Sequence, residues 1–100
     1  MSRRLIVRPE AEADLREAVL WYDQQKQELG EEFLDAVDDA IASIRRYPLM
    51  QPAIYKDARR TLTRRFPYGV FYVVGPACIS VIAVFHTSRD PKEWQARVDG

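Results

Sequence analysis

The chain has few of the residues that hold unusual scaffolds together. Of its 100 residues one is cysteine, one is histidine, four are glycine and six are proline. A single cysteine, Cys78, makes an intramolecular disulfide impossible and rules out a multi-cysteine zinc site. His86 stands eight residues further along the same apolar run, about 26 Å away at the rise of a strand, so the two do not make a metal pair. We therefore expect neither metal nor cofactor. No run approaches the ~20 apolar residues that a membrane-spanning helix needs, and "MSRRLIVRPEAEADLRE" has positive charge without the apolar stretch of a secretory signal. These features give the expectation of a cytoplasmic protein with no membrane partner. Net charge is absent too, with fifteen basic and fifteen acidic residues.

What is present is ordinary globular composition, 47% hydrophobic and 30% charged, enough for one domain with one modest core. The charge is unevenly laid out. Residues 10–39 hold eleven acids against two bases, a balance of −9. Residues 45–65 hold seven bases against one acid, a balance of +6. A basic surface from the middle of the chain, suited to an anionic partner, is consistent with this layout.

"RLIVR" (4–8) reads as a short strand stopped by Pro9, which suits the first turn of a helix because its missing N–H would be unpaired there anyway. Ala11, Leu15, Ala18, Val19 and Tyr22 then recur with helical period, and Glu10, Glu12 and Asp14 stand near the positive helix end. Gly30 reads as a left-handed cap. Phe33, Leu34, Val37, Ala40, Ile41 and Ile44 give a second helix up to Tyr47-Pro48, so the two should form an antiparallel hairpin. "PLMQPAIYKDA" is aperiodic and reads as a loop. "RRTLTRRF" (59–66), "GVFYVV" (69–74) and "CISVIAVFH" (78–86) read as strands, and Asp90-Pro91 as the cap and first residue of a last helix through Trp94 and Val98. The order is β-α-α-β-β-β-α, an α+β domain with an α-hairpin packed on a small, mostly antiparallel sheet.

Three stretches, "AEADLREAVLWYDQQKQELGEEFLDAVDDAI", "RRFPYGVFYVV" and "ISVIAVFHTSRDPKEW", make the chain resemble the RelE/ParE family of bacterial toxins from Leu5 to about Trp94. The resemblance implies the toxin half of a type II toxin–antitoxin (plasmid stabilisation) module. Its partner would be a small co-expressed antitoxin, ParD-like or other, packed as a helix or strand on an apolar groove. Leu15, Val19, Tyr22, Phe33, Val37 and Tyr72 are the groove candidates.

Two targets are implied. RelE-like members cut mRNA on the ribosome; ParE-like members act on DNA gyrase without nuclease chemistry. Cleavage would require activation of a ribose hydroxyl and stabilisation of a crowded phosphate by clustered cations and a general acid or base. As the resemblance carries over, the nucleases have an arginine where this chain has Gly69 and a proton donor where it has Trp94. An indole N–H donates a hydrogen bond but does not shuttle a proton. These departures favour the ParE-like branch and an inhibitor of DNA gyrase. The alternative is a ribosome-dependent mRNA interferase using His86, Arg89 and Arg64, and a further one is a non-toxic antitoxin-binding module.

The plainer reading of His86 is a strand-end residue whose ring bonds a backbone carbonyl or Asp90. Arg59, Arg60, Arg64, Arg65, Arg89 and Trp94 are the candidates for contact with a target or a phosphate. Strand alternation predicts Arg59 and Arg65 on one side and Arg60 and Arg64 on the other, with a solvated edge as the plainer role for all four.

Overall fold

The computed structural model describes residues 3–100. Its elements are β1 (Arg4–Val7), α1 (Pro9–Gln25), α2 (Leu29–Arg46), β2 (Ala53–Tyr55), β3 (Ala58–Leu62), β4 (Tyr68–Val74), β5 (Cys78–His86) and α3 (Pro91–Asp99). One five-stranded sheet has the order β1-β5-β4-β3-β2, antiparallel except where β1 runs parallel to β5. The α+β architecture agrees with the expectation, with one strand added and a third layer: α1 and α2 cover one face of the sheet and α3 the other.

The added strand is β2, inside the segment read as a loop. It is three residues long beside two prolines and joins β3 through a tight turn at Lys56-Asp57, where Lys56 takes φ 50°. So short a strand has no readable period, and only pairing with β3 makes it one.

Gly30 is not a helix cap. The first helix ends earlier, at Gln25, and the left-handed residue at the break is Glu28 (φ 70°). Gly30 lies inside α2, with its N–H donating to Asp23 Oδ1 at 2.8 Å. A Cβ at this position would stand 2.6 Å from both that oxygen and the Val19 carbonyl oxygen. Glycine is required by the close approach of two helices, not by a turn.

β3 also ends earlier than expected, at Leu62 rather than residue 66. Thr63 turns the chain: its N–H donates to Tyr68 O (3.0 Å) and its Oγ1 to Phe66 O (2.8 Å). Arg65 adopts φ 70°, and Phe66 drops into the core.

Two cores lie either side of the sheet. Under α1 and α2, Phe33, Val37, Ile44, Val70, Tyr72, Ile79, Val81 and Val84 pack together. Under α3, Phe71, Ile82, Ala83, Phe85 and Trp94 form the second. Residues of β5 reach both cores because successive side chains of a strand alternate between its faces, and an irregularity shifts that alternation partway along. Phe71 pairs with Ala83 but its neighbour Tyr72 pairs with Val81, leaving Ile82 without a partner. This bulge puts two consecutive residues, Ile82 and Ala83, in the α3 core and reverses the alternation beyond it. Phe85 thus faces α3, and His86 falls on the side of α1 beside Tyr68.

Candidate functional site

The bulge sets the geometry at the end of β5. β1 stops at Val7, so β5 loses its outer neighbour beyond Val81, whose carbonyl still accepts from Arg8 N–H (2.9 Å). The exposed edge is closed by a buried ion pair instead. Asp14 of α1 accepts the Val84 N–H at 3.0 Å and two bonds from Arg97 of α3, at 2.6 and 3.1 Å. Arg97 also donates to Ile82 O at 2.9 Å. The pair ties three elements together and satisfies a strand edge that water would otherwise reach. Neither residue carried a readable signal in the sequence, because Asp14 looks like one more acid in an acidic helix.

His86 ends the strand as expected, but its hydrogen-bond partner differs. Nδ1 accepts from the Ser88 N–H at 3.0 Å and lies 2.8 Å from Ser88 Oγ. A backbone N–H is an obligate donor, so in the neutral ring the proton sits on Nε2. Asp90 is occupied elsewhere, accepting the Lys92 N–H at 3.0 Å as the cap of α3. Arg89 is held by Glu93, with Nε and Nη2 donating to one carboxylate oxygen at 3.1 and 2.9 Å, and its guanidinium lies 3.8 Å from the centre of the Phe85 ring. The Glu93 hydrogen bond keeps Arg89 firmly cationic, its pKa above the usual value.

His86 and Arg89 share a cleft of about 290 Å³ with Asp14, Glu17, Ala18, Trp21, Tyr68 and Val84. Trp21 is 54% exposed there, packed edge-on against buried Tyr22 with ring centres 5.0 Å apart. Tyr68 packs edge-on against His86 at 5.4 Å. Burial pushes the Tyr68 phenol above its ordinary pKa, an effect the Arg89 charge partly opposes.

The remaining arginines do not join this cleft. Arg64 pairs with Asp39 (2.6 Å) and Arg65 with Glu32 (3.3 Å), both on α2. The expected division of Arg64 and Arg65 between opposite faces therefore fails, because the chain has left the strand before it reaches them. Arg59 donates to the Gln51 carbonyl and steadies the segment before β2. Arg60 is exposed, and its stem lies over Gly69: a Cβ on Gly69 would meet Arg60 Cδ at 3.0 Å. The resemblance expects an arginine in place of Gly69, and here one from the neighbouring strand lies above it. Trp94 is only 6% exposed, stacked on Phe71 at 4.6 Å, so as it stands it is a core residue rather than a contact for a target.

Four groove candidates need correction. Phe33, Val37 and Tyr72 are 0% exposed and Tyr22 is 8% exposed, all inside the larger core. Helical or strand period identifies an inward face but does not separate a face turned to the sheet from one offered to a partner. Leu15 and Val19 are half-buried and line an apolar hollow of about 360 Å³ with Arg16, Leu20 and Leu34. Leu20 is 63% exposed at its rim.

On the far side of the sheet, Tyr55 Oη donates to both Asp99 oxygens (2.8 and 3.0 Å) and Lys56 Nζ reaches Asp99 at 2.5 Å. This tether fixes the end of α3 to the β2–β3 turn. The two donors, Lys56 first, hold the Asp99 carboxyl below the usual carboxylate range, and their hydrogen bonds to that carboxylate in turn raise Lys56 and Tyr55 above their ordinary values. Among the described residues there is no group of three or more His, Cys, Asp or Glu side chains able to hold a metal ion, and no helix is long and apolar enough to cross a membrane.

A search of curated proteins finds no significant match. Among solved structures the chain is similar to one described as "Chromosomal ParDE TA system from P. aeruginosa", with a TM-score of 0.65 and 19% identity over 85% of this chain and 96% of the other. That likeness supports the fold. The sequence profile described as "ParE toxin of type II toxin-antitoxin system, parDE" matches residues 5–91. With nearly the whole domain inside that match, this chain belongs to the ParE toxin family of type II toxin–antitoxin systems.

Proposed function

We propose that the protein is a toxin that inhibits DNA gyrase in the cytoplasm and is neutralised by a cognate small antitoxin seated against α1. The ParE family match over residues 5–91 carries this reading. The geometry is in keeping with it. Of the three groups that the nuclease alternative requires, Arg64 is engaged with Asp39 on α2, away from the cleft that holds His86 and Arg89. The hollow at Leu15, Val19, Leu20 and Leu34 offers apolar surface to the antitoxin, whose cover would stabilise so small a domain by mass action. Exposed Arg60 beside exposed Leu62, on the face that α3 only partly covers, is our candidate for contact with the target.

The test is induction of the gene alone in a bacterial host, with pulse-labelling of DNA and protein synthesis, beside a supercoiling assay with pure gyrase. DNA synthesis should fail first and supercoiling should be inhibited. Earlier failure of protein synthesis would point to the ribosome and defeat the proposal. Undisturbed growth with folded, abundant protein would leave the antitoxin-binding module as the answer.

A further inference from the structure

We propose that the cleft between α1 and the His86 end of β5 is a receptor for one aromatic side chain, best a tyrosine, of the protein that docks on α1. The source of the ring rests on the antitoxin reading above; the cleft does not.

The first argument is an aromatic array that is open at the surface. Phe33 packs on Tyr68 with centres 4.7 Å apart, Tyr68 on His86 at 5.4 Å, and Tyr22 on Trp21 at 5.0 Å. Aromatic pairs gain from such edge-to-face contact beyond the area they bury. The array is rooted in the core at Phe33 and Tyr22, and it ends in two rings lining the same cleft, Trp21 and His86. Ala18 and Val84 supply an apolar floor, and at about 290 Å³ the space is on the scale of one side chain.

The second argument is unspent hydrogen-bonding capacity. His86 Nδ1 is taken by Ser88, so the ring's remaining N–H is Nε2. Among the described residues the Tyr68 hydroxyl and the Trp21 indole N–H make no side-chain hydrogen bond. Glu17, at the rim, is in no ion pair among them. Donors beside a lone carboxylate suit a ring with a hydroxyl tip, which both accepts and donates. A free anion fits poorly, because Glu17 and the paired Asp14 line the cleft, and Arg89 is committed to Glu93.

The third argument is position. The cleft lies on one flank of α1 and the apolar hollow with Val19 and Leu20 on another, with exposed Leu20 and Trp21 adjacent on the ridge between them. A segment crossing α1 there would cover the hollow and place a side chain in the cleft.

The full chain carries its own reporter, since its two tryptophans give two indole N–H signals in a proton–nitrogen NMR spectrum. Trp21 lines the cleft and Trp94 is buried on the opposite face as a control. Titration with p-cresol, the tyrosine side chain, should shift the Trp21 indole and the Ala18 and His86 amides saturably and leave Trp94 unmoved. Trp21→Ala should weaken p-cresol roughly two- to tenfold, the value of one aromatic pair, and Trp21→Phe should retain it. No saturable shift, or an equal shift with tert-butanol or acetate, overturns the proposal. With the antitoxin itself, Trp21→Ala should bind more weakly than the parent. Equal binding would overturn the proposal while the antitoxin reading stands. Failure of both to bind would defeat the antitoxin reading and its ring, leaving the p-cresol titration to decide the cleft.

Discussion

Replacing Arg97 by methionine isolates the buried ion pair that closes the edge of β5. Arg97 keeps 24% of its side-chain exposure and Asp14 only 6%. In the variant the Asp14 carboxylate retains one donor, the Val84 N–H, and loses two charged ones, while the Ile82 carbonyl loses its side-chain donor. Removing one member of a fully buried pair costs about 3–5 kcal/mol, because the remaining charge is uncompensated. Partial exposure of Arg97 lets water reach part of the site, so about 2–3 kcal/mol is the working figure. For a domain of this size that corresponds to a fall in Tm of roughly 10–20 °C. The double variant Asp14→Asn with Arg97→Met should recover part of the loss, since an asparagine still accepts the Val84 N–H and carries no charge. Urea unfolding of the four members of this cycle measures it. A cost below about 1 kcal/mol for Arg97→Met, the range of a surface pair, would refute the view that this bridge closes the sheet edge.

Arg64→Ala, which breaks the exposed pair with Asp39, should change unfolding free energy by no more than about 1 kcal/mol, and the effect should shrink in salt. Trp94→Ala should cost about 3–5 kcal/mol and flatten the near-ultraviolet circular dichroism, since it empties the core under α3. Gly30→Ala should destabilise by about 1–3 kcal/mol in urea unfolding, because the new methyl meets the Val19 carbonyl of the α1 backbone, which cannot swing aside, as well as the Asp23 carboxylate. The Asp99 tether has an acid limit. Its carboxyl titrates below the unfolded value of about 3.9, so its contribution is present above that pH and is lost as pH falls through the folded value. The stability difference between the parent and Asp99→Asn should accordingly be constant near neutrality and vanish in acid, and a difference that grows in acid would contradict the tether.

Much of the fold was legible because its signals are local. Apolar residues at helical period gave the hairpin, Asp90-Pro91 gave the start of α3 almost to the residue, and "CISVIAVFH" matched β5 at both ends. The errors share a cause: they lie where a distant element decides. Gly30 carries the same letter whether it caps a helix or lets two helices touch, and only the position of Val19 and Asp23 distinguishes the cases. β2 exists only through its pairing with β3.

The candidate site was less legible. By itself the sequence determined that a small α+β domain forms, that His86 ends a strand, and that Gly69 and Trp94 stand where the family resemblance expects other chemistry. Tertiary structure decided which groups meet. The bulge at Ile82 turns His86 toward α1, while the early end of β3 sends Arg64 and Arg65 to α2. Packing against the sheet removes Phe33, Val37 and Tyr72 from the surface and leaves Leu15 and Val19 there. Asp14 and Arg97, 83 residues apart, meet only because the strand edge left open beyond β1 requires partners. Periodicity records which way a side chain points relative to its own element; what occupies the space it points into depends on elements brought there by the whole chain.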